Sequence, residues 1–167
     1  MKTKVKTSAI YNSTLERAFK TPILCDLSKI HTGFGIIPKV THCTNDNKWG
    51  QIGSTKKVYI SKSLTQEGGF ASVDKVVDRI ENQYWKIEVS EFQSWMLGFS
   101  KFVGEWKTTE LQKDLILVEY TYTMHSEIIL LYPLNWLFVK IFWKKYMTQV
   151  LENIRQLVYN LEPYMYK

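Results

Sequence analysis

A Tyr-Pro corner (Tyr132, Pro133) followed by an apolar helix from Leu134 to about Leu161 constrains this chain more than any other feature. Trp143, Met147, Val150, Ile154, Leu157 or Val158, and Leu161 recur at spacings of three and four, the pattern of a helix with one buried stripe. Lys144, Lys145, Glu152 and Arg155 take the opposite side. The stripe needs an apolar partner, and nearly everything before it reads as short strands. A long helix laid across a curved antiparallel sheet tends to leave a space between the two layers. The expectation is a container, whose contents the helix itself does not specify.

Two-residue alternation and turn chemistry mark the other elements. Lys4–Tyr11 alternates Val5, Thr7, Ala9 and Tyr11 with lysine and serine, which gives a first strand. Asn12-Ser13-Thr14 offers N-cap side chains, and Glu16 lies three residues after Ser13. This capping-box pattern predicts a short helix over Thr14–Lys20, ended by Pro22. A second helical stretch covers Leu24–Ile30, and Thr32–Pro38, with Gly33 and Gly35, is a turn region. Six strands follow: Lys39–Thr44, Gly53–Ser63, Phe70–Glu81, Tyr84–Phe92, Phe99–Leu111 and Leu115–Glu127. Short turns between them imply an antiparallel meander with one polar face. The predicted architecture is α+β: a seven-stranded antiparallel sheet in the order β-α-α-β6-α, wrapped around the C-terminal helix as a single domain over residues 1–167.

Composition removes several functions. Net charge is +6, but there are three arginines (Arg17, Arg79, Arg155) and no arginine-rich run, so no nucleic-acid partner is expected. Cys25 and Cys43 lack metal-type spacing and are too few for a disulfide framework; they read as reduced thiols of a cytoplasmic protein. No apolar h-region follows Lys2, Lys4 and Lys6, and the apolar stretch Ile128–Trp143 is shorter than the roughly 20 residues a spanning helix needs. His31, His42 and His125 lie in separate elements, and no HxH, HExxH, CxxC, G-x-S-x-G or Walker-type loop occurs. No metal, cofactor or catalytic residue is therefore assigned. Monomer and homodimer both remain open.

Three stretches resemble the START-like, or helix-grip, superfamily (the SRPBCC proteins, including polyketide-cyclase/dehydrase and lipid-transport types). They are Asn12-Ser13-Thr14-Leu15-Glu16-Arg17-Ala18-Phe19 after the first strand, Trp49 followed by Ile52-Gly53-Ser54, and the helix from Tyr146 through Leu151-Glu152-Asn153-Ile154 to Arg155. The resemblance covers nearly the whole chain. It implies a helix-grip fold and a cavity for a hydrophobic small molecule or lipid, and it carries over no catalytic residue.

The apolar faces nominate Tyr59, Trp85, Phe102, Trp106, Tyr120, Tyr122, Trp143 and Met147 as cavity residues, with Tyr59, Tyr120, Tyr122 or Thr108 orienting a ligand. Hairpin parity places the turns Thr65–Gly69 and Ser94–Gly98 and the strand exit near Leu131–Leu134 at one end. That end carries Phe70, Trp95, Met96, Phe99, Tyr132 and Trp136, which either plug the core or rim a portal. Asp74 and Asp78 share a face with Phe70 and Ile80, while Lys75 and Arg79 share the other; surface ion pairing is the preferred account, and a cavity carboxylate the sharper one. The first functional reading is binding, for transport or sequestration, of an apolar or aromatic small molecule. A second is a polyketide-cyclase or dehydratase type of enzyme using Asp74, Asp78, Glu91 or His125 as acid or base. A third is a membrane-surface or protein-interaction module built on Leu134–Trp143 with Lys140, Lys144 and Lys145, for which a buried helix with snorkelling lysines is the preferred alternative.

Overall fold

The computed structural model describes residues 1–64, 66–93 and 98–167. Strand β1 (Lys2–Asn12) alternates outward lysines with inward Thr3, Val5 and Tyr11. Helix α1 (Leu15–Leu24) starts at Thr14, whose hydroxyl accepts a hydrogen bond from the Arg17 amide at 3.2 Å. The cap is thus Thr14 rather than Ser13, and Glu16 pairs with Lys20 at 2.6 Å instead of reaching back. Pro22 does not end the helix. It sits in the last turn, where its ring removes one backbone donor, and the Cys25 amide still reaches Thr21 O at 3.0 Å. The predicted stretch Leu24–Ile30 is divided, because Asp26 caps a separate short helix, α2 (Leu27–Ile30).

The remaining strands are β2 (Val40–Cys43), β3 (Thr55–Ile60), β4 (Gly69–Ile80), β5 (Tyr84–Ser90), β6 (Phe99–Gln112) and β7 (Leu115–Ser126). With β1 they form one antiparallel sheet in the order β1-β7-β6-β5-β4-β3-β2, so the first strand pairs with the last. The predicted α+β, seven-stranded antiparallel architecture with a long C-terminal helix is the one observed. The inner face of β7 is Ile116, Val118, Tyr120, Tyr122 and Met124, as alternation requires. On β6 it is Phe102, Gly104, Trp106 and Thr108. A Cβ on Gly104 would lie 3.2 Å from the Tyr122 ring, so this position is left bare to admit that ring.

Two bulges break the alternation on β4. The pairing skips Ala71, which puts Phe70 opposite Tyr59 on the outer face of the sheet, while Ser72, Asp74 and Val76 point inward. It skips again at Val77, so Asp78 pairs with Lys86 on the outside and Arg79 comes opposite the buried Trp85. Arg79 then lies over the Phe19 ring at 5.3 Å. Asp74 and Asp78 therefore do not share a face, and the surface ion-pair account fails for Asp74, which is 7% exposed.

After β7 the chain makes a 3₁₀ turn (Ile129–Leu131), helix α3 (Tyr132–Leu137), a π-helical segment (Phe138–Trp143) and helix α4 (Lys144–Tyr159). Helical structure begins two residues before Leu134, because Pro133 fits the first turn, where its missing N–H would be unpaired anyway. The wider π turns rotate the stripe: Phe138, Val139 and Trp143 are buried, while Ile141 and Phe142 stay exposed. α4 buries Met147, Val150, Ile154, Leu157 and Val158 against the sheet and packs on β1, where the Tyr11 hydroxyl donates to Leu151 O at 2.6 Å. Leu161 leaves the predicted stripe: the helix ends at Tyr159, and Leu161 adopts a positive φ of 51° and is 72% exposed. No helix among the described residues is long and apolar enough to cross a membrane.

Candidate ligand-binding cavity

Between the sheet and the start of α4 lies a cavity of about 130 Å³. Val58 and Ile60 of β3, Val89 of β5, Phe102 of β6 and Trp143 at the helix give it apolar walls, and Leu27 and Ile37 close the side nearest α2. The volume resembles the roughly 150 Å³ cavity that stays dry and accepts one benzene in an engineered apolar core. A smaller chamber of about 30 Å³ adjoins it deeper in the fold, lined by Trp49, Lys56, Trp85, Tyr120 and Ile154. His31, Asp74 and Tyr122 border both spaces. An apolar compartment thus ends in a polar one.

The polar end is built by strand register. Lys56 of β3 and Asp74 of β4 are directly paired and both point inward; they are 3% and 7% exposed. Lys56 Nζ sits 4.0 Å from the Trp49 ring centroid and 5.3 Å from that of Tyr166, a cation held by aromatic faces. The Trp49 ring is itself fixed by its Nε1, which donates to Ile23 O at 2.7 Å. Among the described residues, neither the Asp74 carboxylate nor the Lys56 ammonium makes a side-chain hydrogen bond or an ion pair within 4.0 Å. Burial pushes the Asp74 carboxyl up to about 6, partly offset by the Lys56 charge. Burial and the same lysine push His31 down to about 4, so its ring is neutral near pH 7. His31 Nδ1 lies 2.6 Å from the Tyr146 hydroxyl, and the Tyr120 and Tyr122 hydroxyls are 3.0 Å apart. Burial raises all three tyrosines, which keeps each a hydrogen-bond donor. Among the described residues no three His, Cys, Asp or Glu side chains converge as a metal site would require.

The sequence-nominated residues are distributed as follows. Phe102, Tyr122 and Trp143 line the larger cavity, and Trp85 and Tyr120 the inner chamber. Trp106 and Met147 are fully buried behind them and line neither. Tyr59 is on the opposite face of the sheet, stacked on His42 with centroids 4.5 Å apart, because it alternates with the inward Val58 and Ile60. Phe70 meets it edge-on there, on the face turned away from the cavity. Phe99 is core, packed on Phe102 and Phe138. Tyr132 and Trp136 lie on α3 and line neither space. Trp95 and Met96 lie outside the described residues. Thr108 bonds backbone oxygens of the β4–β5 turn at Asn82 and faces no cavity. Asp78 and Glu91 are exposed, and His125 sits half-buried on the outer face, so only Asp74 of the four acid–base candidates reaches the cavity. Sequence reasoning missed Lys56, His31, Trp49 and Tyr146. Lys56 did carry a signal, since it alternates in phase with Val58; His31 follows a four-residue helix and has no periodicity to place it.

Layered in this way, sheet and terminal helix define the helix-grip fold of the START-like superfamily, and the resemblance read from the sequence holds at the level of the fold. Among solved structures, the norcoclaurine synthase of Thalictrum flavum, in complex with dopamine and hydroxybenzaldehyde, matches with a TM-score of 0.63 at 12% identity, over 98% of this chain and 90% of the synthase. Ara h 8.0201 matches with a TM-score of 0.63 at 12% identity, over 96% and 99% of the two chains. A protein of unknown function from Staphylococcus aureus matches with a TM-score of 0.72 at 10% identity, over 96% of each chain. No family model matches the chain, and no curated protein matches it in sequence. Identities this low establish shared architecture and leave the site to be argued from its own residues.

Proposed function

We propose that this protein binds an apolar or aromatic small molecule between the sheet and the C-terminal helix, as a carrier or sequestering protein rather than as an enzyme. The observation that carries this reading is the cavity itself: apolar walls from three strands and Trp143, leading to a few converging polar groups at one end. Apolar burial would drive binding at about 25 cal/mol per Å², less the cost of association. A synthase of the same fold holds two small aromatic molecules, which supports a ligand of that class here. Cys25 and Cys43 are both free thiols, in keeping with residence in the reducing cytoplasm. An apolar fluorescent probe should bind saturably and be displaced by small aromatics or fatty acids. Native mass spectrometry of freshly purified protein should reveal a co-purified molecule. A folded protein that binds no probe in a saturable manner would refute the reading.

One observation favours an enzymatic alternative. Asp74 is a buried carboxylate with a raised pKa in a cavity, the state of a general base or acid. In that reading Asp74 moves a proton on the bound molecule, while neutral His31 and the tyrosine hydroxyls act as donors. Asp74→Asn should then abolish turnover of the co-purified molecule while leaving its affinity within a few-fold of the parent. Absence of any chemical change in that molecule on long incubation rejects the alternative.

A further inference from the structure

We propose that the inner end of the cavity is a subsite for a neutral hydroxyl head group, which makes the ligand a single-ring phenol or a comparably small apolar alcohol. This deepens the binding reading and rests on it. Asp74 and Lys56 are both more than nine-tenths buried, are adjacent across two strands, and make no side-chain hydrogen bond among the described residues. Buried ionisable groups without hydrogen bonds are costly, and proteins usually satisfy them. The group missing at Asp74 is a hydrogen-bond donor, because a carboxylate only accepts.

Charge decides which donor fits. A cationic ligand would bring a second positive charge beside Lys56, and an anionic one would face the Asp74 carboxylate. The pair is already balanced, so a neutral head group is the one that adds no net charge to a closed site. Size decides next. The inner chamber is about 30 Å³, close to the volume one water occupies in the liquid, while the outer cavity suits one ring. A hydroxyl is the head group that donates to Asp74 and also accepts from a neighbour. The Tyr122 hydroxyl, which borders both spaces, is available as that donor. A ring in the outer cavity would meet Phe102 and Trp143, whose centroids are 5.4 Å apart.

Calorimetric titration of the whole chain with phenol, toluene, benzylammonium and benzoate tests this. Phenol should bind at least about tenfold tighter than toluene, because a site built for a hydroxyl leaves its polar groups unpaired around the methyl isostere. Both charged analogues should bind more weakly than phenol. The Lys56→Met, Asp74→Leu double variant leaves no lone charge behind, and it should lose the preference for phenol over toluene. Equal affinity of the parent for phenol and toluene overturns the hydroxyl subsite and leaves the apolar cavity standing. So does tighter binding of either charged analogue. A preference that survives in the folded double variant overturns the assignment to Asp74. Saturable binding of none of the four overturns the cavity reading along with the subsite.

From the geometry of the segment before α4 we infer that this face docks on an anionic lipid surface. Ile129 is 76% exposed, Leu130 85%, Leu134 50%, Trp136 47% and Phe142 45%. The buried side chain of α3 is the polar one: Asn135 is fully buried, and its Nδ2 donates to Ser126 Oγ at 2.6 Å. The segment is thus pinned by its polar side with its apolar side facing out, the reverse of an ordinary amphipathic helix on a core. Lys140, Lys144 and Lys145 are exposed beside it, and no acidic residue occurs between Glu127 and Glu152. Apolar rings and chains followed by three exposed lysines complement an anionic headgroup layer, with exposed Glu127 at the start of the segment as the opposing charge.

Cosedimentation with vesicles of phosphatidylcholine and phosphatidylglycerol, against phosphatidylcholine alone, tests the surface. The protein should pellet with the anionic vesicles, release in high salt, and show a blue-shifted emission that is missing in Trp136→Phe. Leu130→Ser combined with Ile129→Ser should keep the parent melting temperature, since both side chains are exposed, and should lower vesicle binding at least about tenfold. No binding to anionic vesicles, or equal binding by the double variant, overturns the inference. A concentration-dependent dimer that the same substitutions abolish also overturns it, by showing a second copy to be the occupant.

Discussion

At the scale of the residue, a buried carboxyl group and a half-buried imidazole oppose each other. Asp74 has its pKa raised from 3.8 to about 6, so the native state holds the proton more tightly than the unfolded chain. Its contribution is complete below about pH 4 and is lost as pH rises through about 6. His31 is lowered from 6.5 to about 4, so its contribution is complete above about pH 6.5 and is lost as pH falls through about 4. Each displacement is worth roughly 3 kcal/mol across its window. Because the windows nearly coincide and the signs are opposite, the two effects cancel in the parent protein. Urea midpoints should change little between about pH 4.5 and about pH 7. Asp74→Asn should expose the histidine and become more stable as pH rises over that interval. His31→Gln should expose the carboxylate and become less stable. A flat profile in both variants would show that neither group is buried as described. The same two residues show how far a sequence can be read. Asp74 was visible as a candidate, but its parting from Phe70 and Asp78 was not, because the bulges at Ala71 and Val77 leave no mark in the sequence.

At the scale of the element, the terminal helix was the most legible part of the chain, since a repeat at three and four residues over sixteen positions has no strand counterpart. The π-helical segment was not legible, because its sequence, Phe-Val-Lys-Ile-Phe-Trp, is apolar except at Lys140 and fits any helical pitch. That segment aims Trp143 at Phe102, Tyr122, Phe138 and Tyr146, with ring centroids 5.2–6.2 Å away. Trp143→Ala should cost about 3–5 kcal/mol in urea denaturation, and an apolar probe should restore part of it by filling the enlarged cavity. Trp143→Phe should behave differently. Among the described residues the buried Trp143 Nε1 has no partner, and removing an unsatisfied donor recovers about 1–3 kcal/mol of desolvation. The phenylalanine variant should therefore lose less than about 1.5 kcal/mol. Equal losses for the two would mean that the Nε1 finds a partner in solution. Of the mouth residues nominated by hairpin parity, Phe99 proved to be core. Phe70 was turned outward by the bulge at Ala71, another event with no sequence mark.

At the scale of the whole molecule, the least legible feature is the C-terminal tail, whose Tyr166 joins three distant parts of the chain. Helix periodicity ends before it, and a lone tyrosine near a chain end carries no pattern. Tyr166 is 2% exposed, its backbone N–H reaches Leu24 O on α1 at 3.2 Å, and its hydroxyl donates to Thr44 O at 3.2 Å. Its ring lies 6.2 Å from that of Trp49, and with Trp49 it flanks the Lys56 ammonium. The tail is therefore packed behind Trp49 and Lys56, which line the polar chamber, although it lies far from that chamber in sequence. Tyr166→Phe keeps the ring over Lys56 and gives up one hydrogen bond, which should cost about 0.5–1.5 kcal/mol. Tyr166→Ala empties a buried aromatic site and should cost about 3–5 kcal/mol in the same urea titration. The chamber adds a second readout. With the ring gone, water reaches Lys56, and the charge-balanced site becomes wet. Affinity for a small hydroxyl-bearing aromatic should fall at least about tenfold in the alanine variant and stay within about threefold of the parent in the phenylalanine variant. If the alanine variant lost stability and kept its affinity, the tail would be a clamp on the fold alone, with Trp49 and Ile23 closing the chamber without it.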